Sequence, residues 1–163
     1  MAVVEGLKDI LLDKKQADQT VERLLLSNKT WGARDRNFIA ENIYHIVRYK
    51  RLYEYCVEEE VWSEAGVWPM LGAKLIAEGV VLPDWVEWSE LKREKSWQKR
   101  EEANAVRKIR ESVPDWLDEL GVKELGEAKW EQELSALNTA AKFSVRVNTL
   151  KSNKNVISAL FNT

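Results

Sequence analysis

The sequence predicts a mainly α-helical protein with a small α+β segment of one or few strands at its C-terminal end. Three observations lead to this prediction. Apolar residues recur at helical spacing through most of residues 1–137. A single stretch, residues 143–150, alternates with a period of two, as strands do. The length of 163 residues suffices for one domain and the start of a second.

Several helical patterns are expected in the first half of the chain. Apolar residues at positions 3, 4, 7, 10 and 11 predict the first helix, and Asp18 is a candidate N-cap for the second. A long third helix is expected from about Ala33 toward Glu59, with a stripe of buried isoleucines. A short helix around Met70 to Glu78 follows, among glycines and a proline.

The second half begins with a polar helical stretch from Val86 to Ile109. The pattern then changes, because Pro114 and the acids after it indicate a new helix start. Gly121 is a candidate end for that helix, and Glu127 to Leu137 is amphipathic. A last helical pattern runs from Asn155 to Phe161.

The predicted strand puts alternate side chains on opposite faces. One face has Phe143, Val145 and Val147, and the other has Ser144, Arg146 and Asn148. Because a lone strand has unpaired backbone groups on both edges, it pairs with another chain or with a continuation of this one. We expect that the natural protein continues past Thr163. We also expect two units, a helical domain in residues 1–110 and the start of a further module in residues 111–163.

Composition excludes several classes of protein. The formal net charge of −2 excludes a histone-like polycation, but it does not exclude a segregated basic surface. No apolar run approaches the roughly 20 residues that cross a bilayer, and the N-terminus lacks a secretory signature. We therefore expect a cytoplasmic protein with no membrane partner. With one histidine and one cysteine in the chain, we also expect no metal.

The sequence has little sign of catalytic or cofactor chemistry. Cys56 is either a nucleophile or a small buried residue, and its place beside the isoleucine stripe favours burial. His45 has no local acid or nucleophile to work with, which favours a structural role. The sequence contains neither a glycine-rich phosphate loop nor the GxSxG motif. We therefore expect no catalytic residue and no cofactor in this chain.

Charge alternates along the chain in blocks. Residues 29–53 carry a net +4, residues 54–90 a net −8, residues 91–110 a net +5, and residues 138–163 a net +4 without any acid. Such blocks favour a surface with separate faces, of which the basic ones are available for phosphate. The alternative is that neighbouring helix faces pair with each other. The tryptophans of the acidic block either pack in the core, as we expect, or form an exposed patch.

Basic residues interleaved with aromatic ones are the clearest functional signal. On one predicted helix, Tyr44, Arg48, Arg51 and Tyr55 fall at i, i+4, i+7 and i+11, opposite the apolar stripe. Arginine pairs with phosphate and tyrosine stacks on unpaired bases, which indicates RNA binding. The alternative is a surface helix whose tyrosines pack on a neighbour. The candidate RNA-binding residues are Arg34, Arg36, Tyr44, Arg48, Arg51, Tyr55, Arg146 and Asn148.

Four segments together resemble a known family. Residues 18–25 (DQTVERLL) and 31–44 (WGARDRNFIAENIY) resemble the N-terminal region of the bacterial ribosomal RNA 5-methylcytosine methyltransferases of the RsmB/Sun (Fmu) group. That region is similar in fold to the antitermination factor NusB. Residues 112–117 (SVPDWL) and 144–151 (SVRVNTLK) look like the linker before the catalytic domain of these enzymes. The acidic region 57–90 lies outside the resemblance.

The resemblance implies a NusB-like helical bundle in residues 1–110 and the first elements of the methyltransferase module in residues 111–163. In this family S-adenosylmethionine and the nucleophilic cysteine belong to a Rossmann-like domain that follows. Cys56 stands in neither of the family's cysteine motifs. The resemblance thus implies the RNA-binding part of an enzyme, inactive alone, whose partners are ribosomal RNA and the missing catalytic domain in cis. Arg34 and Arg36 would contact RNA, or anchor the bundle through Asp35 or Glu41.

Two other functions fit the same residues. A stand-alone NusB-like adaptor would bind RNA or protein partners without an enzyme downstream, and the reading frame past Thr163 separates it from the methyltransferase fragment. A purely structural helical module would use its basic blocks only to pair with the acidic ones. Reversing the charges of Arg48 and Arg51 would then lower stability and leave RNA affinity unchanged.

Overall fold

The computed structural model describes residues 1–58, 63–139 and 144–161. Within these ranges the chain is mainly α-helical, as predicted, and no residue lies in a strand. A short 3-10 turn at Val86–Trp88 interrupts the series of α-helices. The helices are α1 (Ala2–Leu11), α2 (Ala17–Ser27), α3 (Ala33–Arg48), α4 (Lys50–Val57), α5 (Glu64–Ala77), α6 (Arg93–Asn104), α7 (Arg107–Arg110), α8 (Asp115–Leu125), α9 (Glu127–Asn138) and α10 (Lys154–Phe161).

Helix α5 is the centre of the main core. Almost every residue from Gly66 to Ile76 is buried, because α1, α3, α4 and α6 all pack against this helix. A helix that is apolar on every side is stable in water only when neighbours enclose it. The predicted start at Met70 was therefore six residues late, and Pro69 lies inside the helix. Burial on all sides outweighs the cost of about 3 kcal/mol that proline adds to a helix interior.

The predicted long helix is divided at Tyr49. Helix α3 ends at Arg48 and α4 begins at Lys50, with Tyr49 at φ −104° and ψ 30° between them. The Tyr49 ring packs against His45 at 4.8 Å between ring centroids. Because of this break, residues beyond Tyr49 do not continue the face that α3 presents. The predicted end of the long helix, Glu59, lies outside the described residues.

The polar stretch Val86 to Ile109 is also divided. It forms the 3-10 turn, α6 and α7 rather than one helix. Trp88 is buried, and its indole N–H donates to the Trp68 carbonyl oxygen of α5 at 2.8 Å. Trp85 stacks on Trp88 at 5.1 Å between ring centroids, yet 47% of Trp85 is exposed. The tryptophans therefore form a packed cluster in which Trp85 stays partly exposed. Trp62 lies outside the described residues.

A second, smaller apolar cluster joins α8 to α9. Trp130 and Leu134 of α9 are buried together with Val113. Helix α8 continues through Gly121, where an added Cβ atom would come within 2.2 Å of the Trp130 ring. The helix ends instead at Leu125, and Gly126, the next residue, has a φ of 78° that suits glycine. The predicted end at Gly121 is wrong, because that glycine is required for close packing. The division at residue 110 stays a prediction.

The predicted strand is absent from the part of the chain that the structure describes. Residues 144–148 have no regular secondary structure and find no partner strand among the described residues. Alternation alone does not form a strand, because the backbone groups need a second edge to pair with. Phe143 lies outside the described residues. The helical pattern that follows is confirmed by α10.

None of the described helices has the length and apolar content to cross a bilayer. The single cysteine and the single histidine both lie in the main core region. Cys56 is buried, and burial raises the pKa of its thiol to about 11. His45 lies 2.9 Å from the Tyr53 hydroxyl through its Nε2 atom. A thiol with that pKa is protonated at neutral pH, so Cys56 acts as a buried apolar residue.

Candidate nucleic-acid interface

The outer face of α3 carries a row of exposed cations and aromatics, with one acid among them. Its members are Arg34, Phe38, Glu41, Tyr44 and Arg48, at spacings of four, three, three and four residues. These spacings keep the side chains on one side of an α-helix. Phe38 is 48% exposed and Tyr44 is 41% exposed. We call this row the α3 face.

Arg34 and Arg36 differ in what they contact. Arg34 is exposed, and no ion pair or hydrogen bond engages it within the described ranges. The Arg36 guanidinium instead donates to the carbonyl oxygens of Leu25 at 2.6 Å, Trp31 at 3.0 Å and Asn28 at 3.3 Å. Carbonyls at the end of α2 lack helical partners, so Arg36 closes the connection between α2 and α3.

The anchor that the structure shows differs from the two acids, Asp35 and Glu41, that the sequence predicts as anchoring partners. Asp35 accepts a hydrogen bond from the Gly32 backbone N–H at 3.1 Å and so caps the start of α3. Neither Asp35 nor Glu41 pairs with Arg34 or Arg36 in the part of the chain that the structure describes. Arg36 anchors the bundle through carbonyl oxygens rather than through a carboxylate.

Tyr44 joins α3 to α2. Its hydroxyl donates to Asp18 Oδ1 at 3.0 Å. Burial and the neighbouring Asp18 carboxylate raise the pKa of the Tyr44 hydroxyl. Asp18 was expected to cap α2, but that helix begins at Ala17 with Gln16 at the N-cap position. The Tyr44 hydroxyl is therefore tied to α2, while 41% of the residue is exposed.

Arg48 lies at the junction with α9. Its guanidinium donates to the Asn138 side-chain oxygen, and the Asn138 amide donates in turn to a Glu111 carboxylate oxygen at 2.5 Å. Burial of Glu111 opposes ionisation, but hydrogen bonds from Arg110 and Asn138 lower its pKa. Arg48 remains exposed despite this contact.

Arg51 clamps the start of α8 onto α4. Its backbone N–H donates to Ser112 Oγ at 3.0 Å, while its guanidinium donates to the Val113 carbonyl at 2.5 Å and to Asp115 Oδ1 at 2.6 Å. Hydrogen bonds from Arg51 and Lys108 lower the pKa of Asp115. The Arg51 guanidinium is therefore occupied by partners within the molecule.

Tyr55 lies elsewhere, against α6. Its hydroxyl is 3.4 Å from Glu102 Oε2, and the Lys99 ammonium stands 5.4 Å from the centre of its ring. Its position corresponds to the alternative in which a tyrosine packs on a neighbouring helix. Tyr55 and Arg51 belong to α4, beyond the break at Tyr49, so the predicted four-residue stripe is not one surface.

Arg146 and Asn148 lie in the irregular segment before α10. Both are exposed. The Asn148 side-chain oxygen accepts a hydrogen bond from the Leu150 backbone N–H at 3.0 Å, which forms a local turn. Neither side chain belongs to the α3 face. They form a separate exposed surface in a stretch of chain that has no acidic residue.

Much of the second basic run is neutralised within the fold. Arg107 donates to both oxygens of Asp118, at 2.8 and 3.0 Å, and Arg110 pairs with Glu111 at 2.9 Å. The pKa of Asp118 is lowered first of all by its hydrogen bond from Arg107. This outcome corresponds to the alternative that basic and acidic blocks pair with each other.

The α3 face contains one residue that the sequence analysis missed. Phe38 follows Arg34 by one helical turn and precedes the buried Ile39, and it is not among the residues predicted from the sequence to bind RNA. Its position outside the isoleucine stripe was the available signal, since a helix buries residues three and four apart rather than neighbours.

Comparison of this chain with protein-family models, with curated proteins and with solved structures finds no match. A functional interpretation therefore depends on the sequence segments and on the geometry of α3.

Proposed function

We propose that this chain binds RNA through the α3 face, as the RNA-binding N-terminal part of an S-adenosylmethionine-dependent ribosomal RNA cytosine-5 methyltransferase. One observation carries the RNA-binding part: exposed Phe38 and Tyr44 lie between Arg34 and Arg48 on one helix. The methyltransferase part is supported by the resemblance of residues 18–25, 31–44, 112–117 and 144–151. In this proposal the bundle is NusB-like and works in the cytoplasm.

The chemistry of the α3 face suits unpaired RNA. Aromatic rings stack on bases that are free of a duplex, and each such contact contributes about 1–3 kcal/mol of binding free energy. Arginine guanidinium groups pair with phosphate through two parallel hydrogen bonds. Arg34 has all its donors available within the described ranges, and Arg48 is exposed. The two rings lie between the two guanidinium groups along α3, with Glu41 between the rings.

The proposal narrows the set of RNA-binding candidates. Arg36 and Arg51 donate to backbone carbonyls and to Asp115, so we assign them to the fold. Tyr55 packs on α6 and is also assigned to the fold. Arg146 and Asn148 are a second surface that could extend the contact. S-adenosylmethionine would belong to the catalytic domain of the whole enzyme, and we expect no binding of it by this chain.

Fluorescence anisotropy tests the proposal with a labelled RNA hairpin that has an unpaired loop. Phe38→Ala is expected to weaken binding by about 1 kcal/mol or more, since one stacking contact is lost. Arg34→Gln is expected to weaken binding and to reduce the slope of log affinity against log salt by about 0.7, the value for one phosphate contact on a single strand.

Lys129→Gln is the matched control for Arg34→Gln. Lys129 is an exposed cation on α9, and its loss changes the net charge equally without touching α3. Equal effects of the two substitutions would contradict the proposal, because they would indicate attraction to net charge alone. Affinity for a fully paired RNA that equals the affinity for the hairpin would contradict base stacking. Calorimetric binding of S-adenosylmethionine to this chain would contradict the assignment of the cofactor site.

A further inference from the structure

An apolar groove rimmed with acids crosses the side of the bundle formed by α5, α6 and the 3-10 turn. Two adjoining clefts of about 610 and 650 Å³ share Ile76 and Arg93. Trp85 lines one cleft and Trp97 lines the other, and these two residues are 47% and 48% exposed. Val86 adds apolar surface that is 80% exposed. We call this feature the tryptophan groove.

The rim of the tryptophan groove is acidic. Asp84 and Glu94 line the clefts and Glu87 directly follows Val86; all three acids are exposed, and no ion pair engages them within the described ranges. Arg93 lies on both clefts, but these acids outnumber it. Phosphate would be repelled here, so the groove does not suit the RNA that we propose for α3. It suits a segment that is both basic and apolar.

The C-terminal segment of the same chain has that chemistry. Residues 144–161, which we call the tail, contain Arg146, Lys151 and Lys154 and no acid. No ion pair engages these three cations in the part of the chain that the structure describes. Leu150 is 95% exposed and Val156 is 52% exposed. Leucine fully surrounded by water is costly, by about 25 cal/mol for each Å² left uncovered.

We propose that two copies of this chain associate by placing the tail of each in the tryptophan groove of the other. Apolar tail residues would cover Trp85 and Val86, while Lys151 and Lys154 would pair with the rim acids. The exchange is reciprocal, so the assembly closes as a two-fold dimer and does not grow into a filament. This inference goes beyond the proposed RNA binding and does not depend on it.

Sedimentation equilibrium of the whole chain tests the dimer. The mass is expected to rise with concentration from 18.9 kDa to twice that value. Quenching of tryptophan fluorescence by acrylamide is expected to fall in parallel, as Trp85 and Trp97 become covered. A chain that stays monomeric over the whole concentration range would overturn the proposal, and so would a tail that protects the tryptophans within a monomer.

Charge reversal assigns the two surfaces. The groove variant Asp84→Lys with Glu87→Lys and the tail variant Lys151→Glu with Lys154→Glu are each expected to weaken the dimer by about tenfold or more. Combined in one chain, the four substitutions are expected to restore association, because the charges are again opposite. The matched control, Lys123→Glu with Lys129→Glu on α8 and α9, is expected to leave the dimer unchanged.

The substituted side chains are exposed, so the variants are expected to keep the helical circular dichroism of the parent chain. A dimer that neither the groove variant nor the tail variant weakens would overturn the proposal, because another surface would hold it. Failure to restore association in the fourfold variant would also overturn it. Arg34→Gln is expected to leave the mass unchanged, which keeps the dimer and the RNA-binding proposals separately testable.

Discussion

At the scale of single residues, neighbouring side chains of one type have different tasks. Arg34 and Arg36 are two positions apart on α3, which turns them about 200° away from each other. Arg34 faces solvent at the end of the α3 face, whereas Arg36 donates to three carbonyl oxygens, one in the last turn of α2 and two in the connection to α3. Local sequence predicts the same role for both, because both stand in one basic segment.

This difference predicts that the same substitution has effects of different size on stability. Arg36→Ala is expected to lower the free energy of unfolding by about 2 kcal/mol, since hydrogen bonds from a charged donor contribute about 1.5–3 kcal/mol and three carbonyls lose their partner. Arg34→Ala is expected to change it by less than about 0.5 kcal/mol, as for other surface positions. Urea denaturation followed by circular dichroism measures both. Equal destabilisation by the two substitutions would contradict the assignment of Arg36.

At the scale of helices, Gly121 decides how closely α8 and α9 approach. Gly121→Ala would bring a methyl group within 2.2 to 2.6 Å of three Trp130 ring atoms. Trp130 is further held by its indole N–H, which donates to Asp118 Oδ1 at 2.9 Å. The ring therefore cannot move away without losing a hydrogen bond. We expect destabilisation of about 1–3 kcal/mol, the usual cost of overpacking.

Thermal unfolding monitored by Trp fluorescence measures this effect, and Gly32→Ala is its control. At Gly32 the nearest neighbour of an added Cβ atom is Asp35 Oδ2 at 3.8 Å, an ordinary contact distance. Gly32→Ala adds no clash, and because Gly32 is the N-cap of α3 it is expected to cost only the small N-cap preference for glycine over alanine, less than Gly121→Ala. An unchanged melting temperature for Gly121→Ala would mean that α8 and α9 are free to separate, which the close approach contradicts.

Helix periodicity predicted the existence of most elements but not their boundaries. α1, α9 and α10 were predicted close to their observed limits. α5 was shortened, since a helix buried on all sides has no periodic signal. No glycine or proline marks the break at Tyr49 in the sequence. The strand was predicted from alternation alone, although its partner edge could not be read from local sequence.

The candidate site was also predicted only in part, because contacts between residues far apart in sequence decide which side chains reach the surface. Tyr44 and Arg48 were placed correctly on the surface of α3. Arg51 was separated from them by the helix break, and its acceptors Val113 and Asp115 lie more than 60 residues away in sequence. Contacts at that separation have no local signal. The charge blocks likewise predicted separate basic and acidic segments, but not which cations would form ion pairs in the folded chain.

At the scale of the whole molecule, one histidine makes the stability of the fold depend on pH. His45 is the only histidine of the chain. Burial lowers its pKa below the ordinary value of 6.5, and the nearby charges of Lys74 and Arg100 lower it further, against the opposing effect of Glu78. The folded state therefore binds the proton more weakly than the unfolded state does.

The sign of the pH effect follows. As the pH falls below about 6.5, the unfolded chain takes up a proton that the folded chain resists, so the free energy of unfolding decreases. It continues to decrease until the pH reaches the lowered pKa of folded His45. Urea midpoints at pH 7.5, 6.5 and 5.5 measure this decrease. His45→Gln is expected to have a flatter profile over that range; an equally steep one would assign the effect to other groups.

The enclosure of α5 has a consequence for synthesis of the chain. Its last covering layer, α6, begins only at Arg93, sixteen residues after α5 ends at Ala77. During synthesis, the apolar helix α5 is therefore exposed before α6, which covers it, has been made. Newly made chains at this stage need protection from sticking to each other, and shortening the protein before Arg93 would make that hazard permanent.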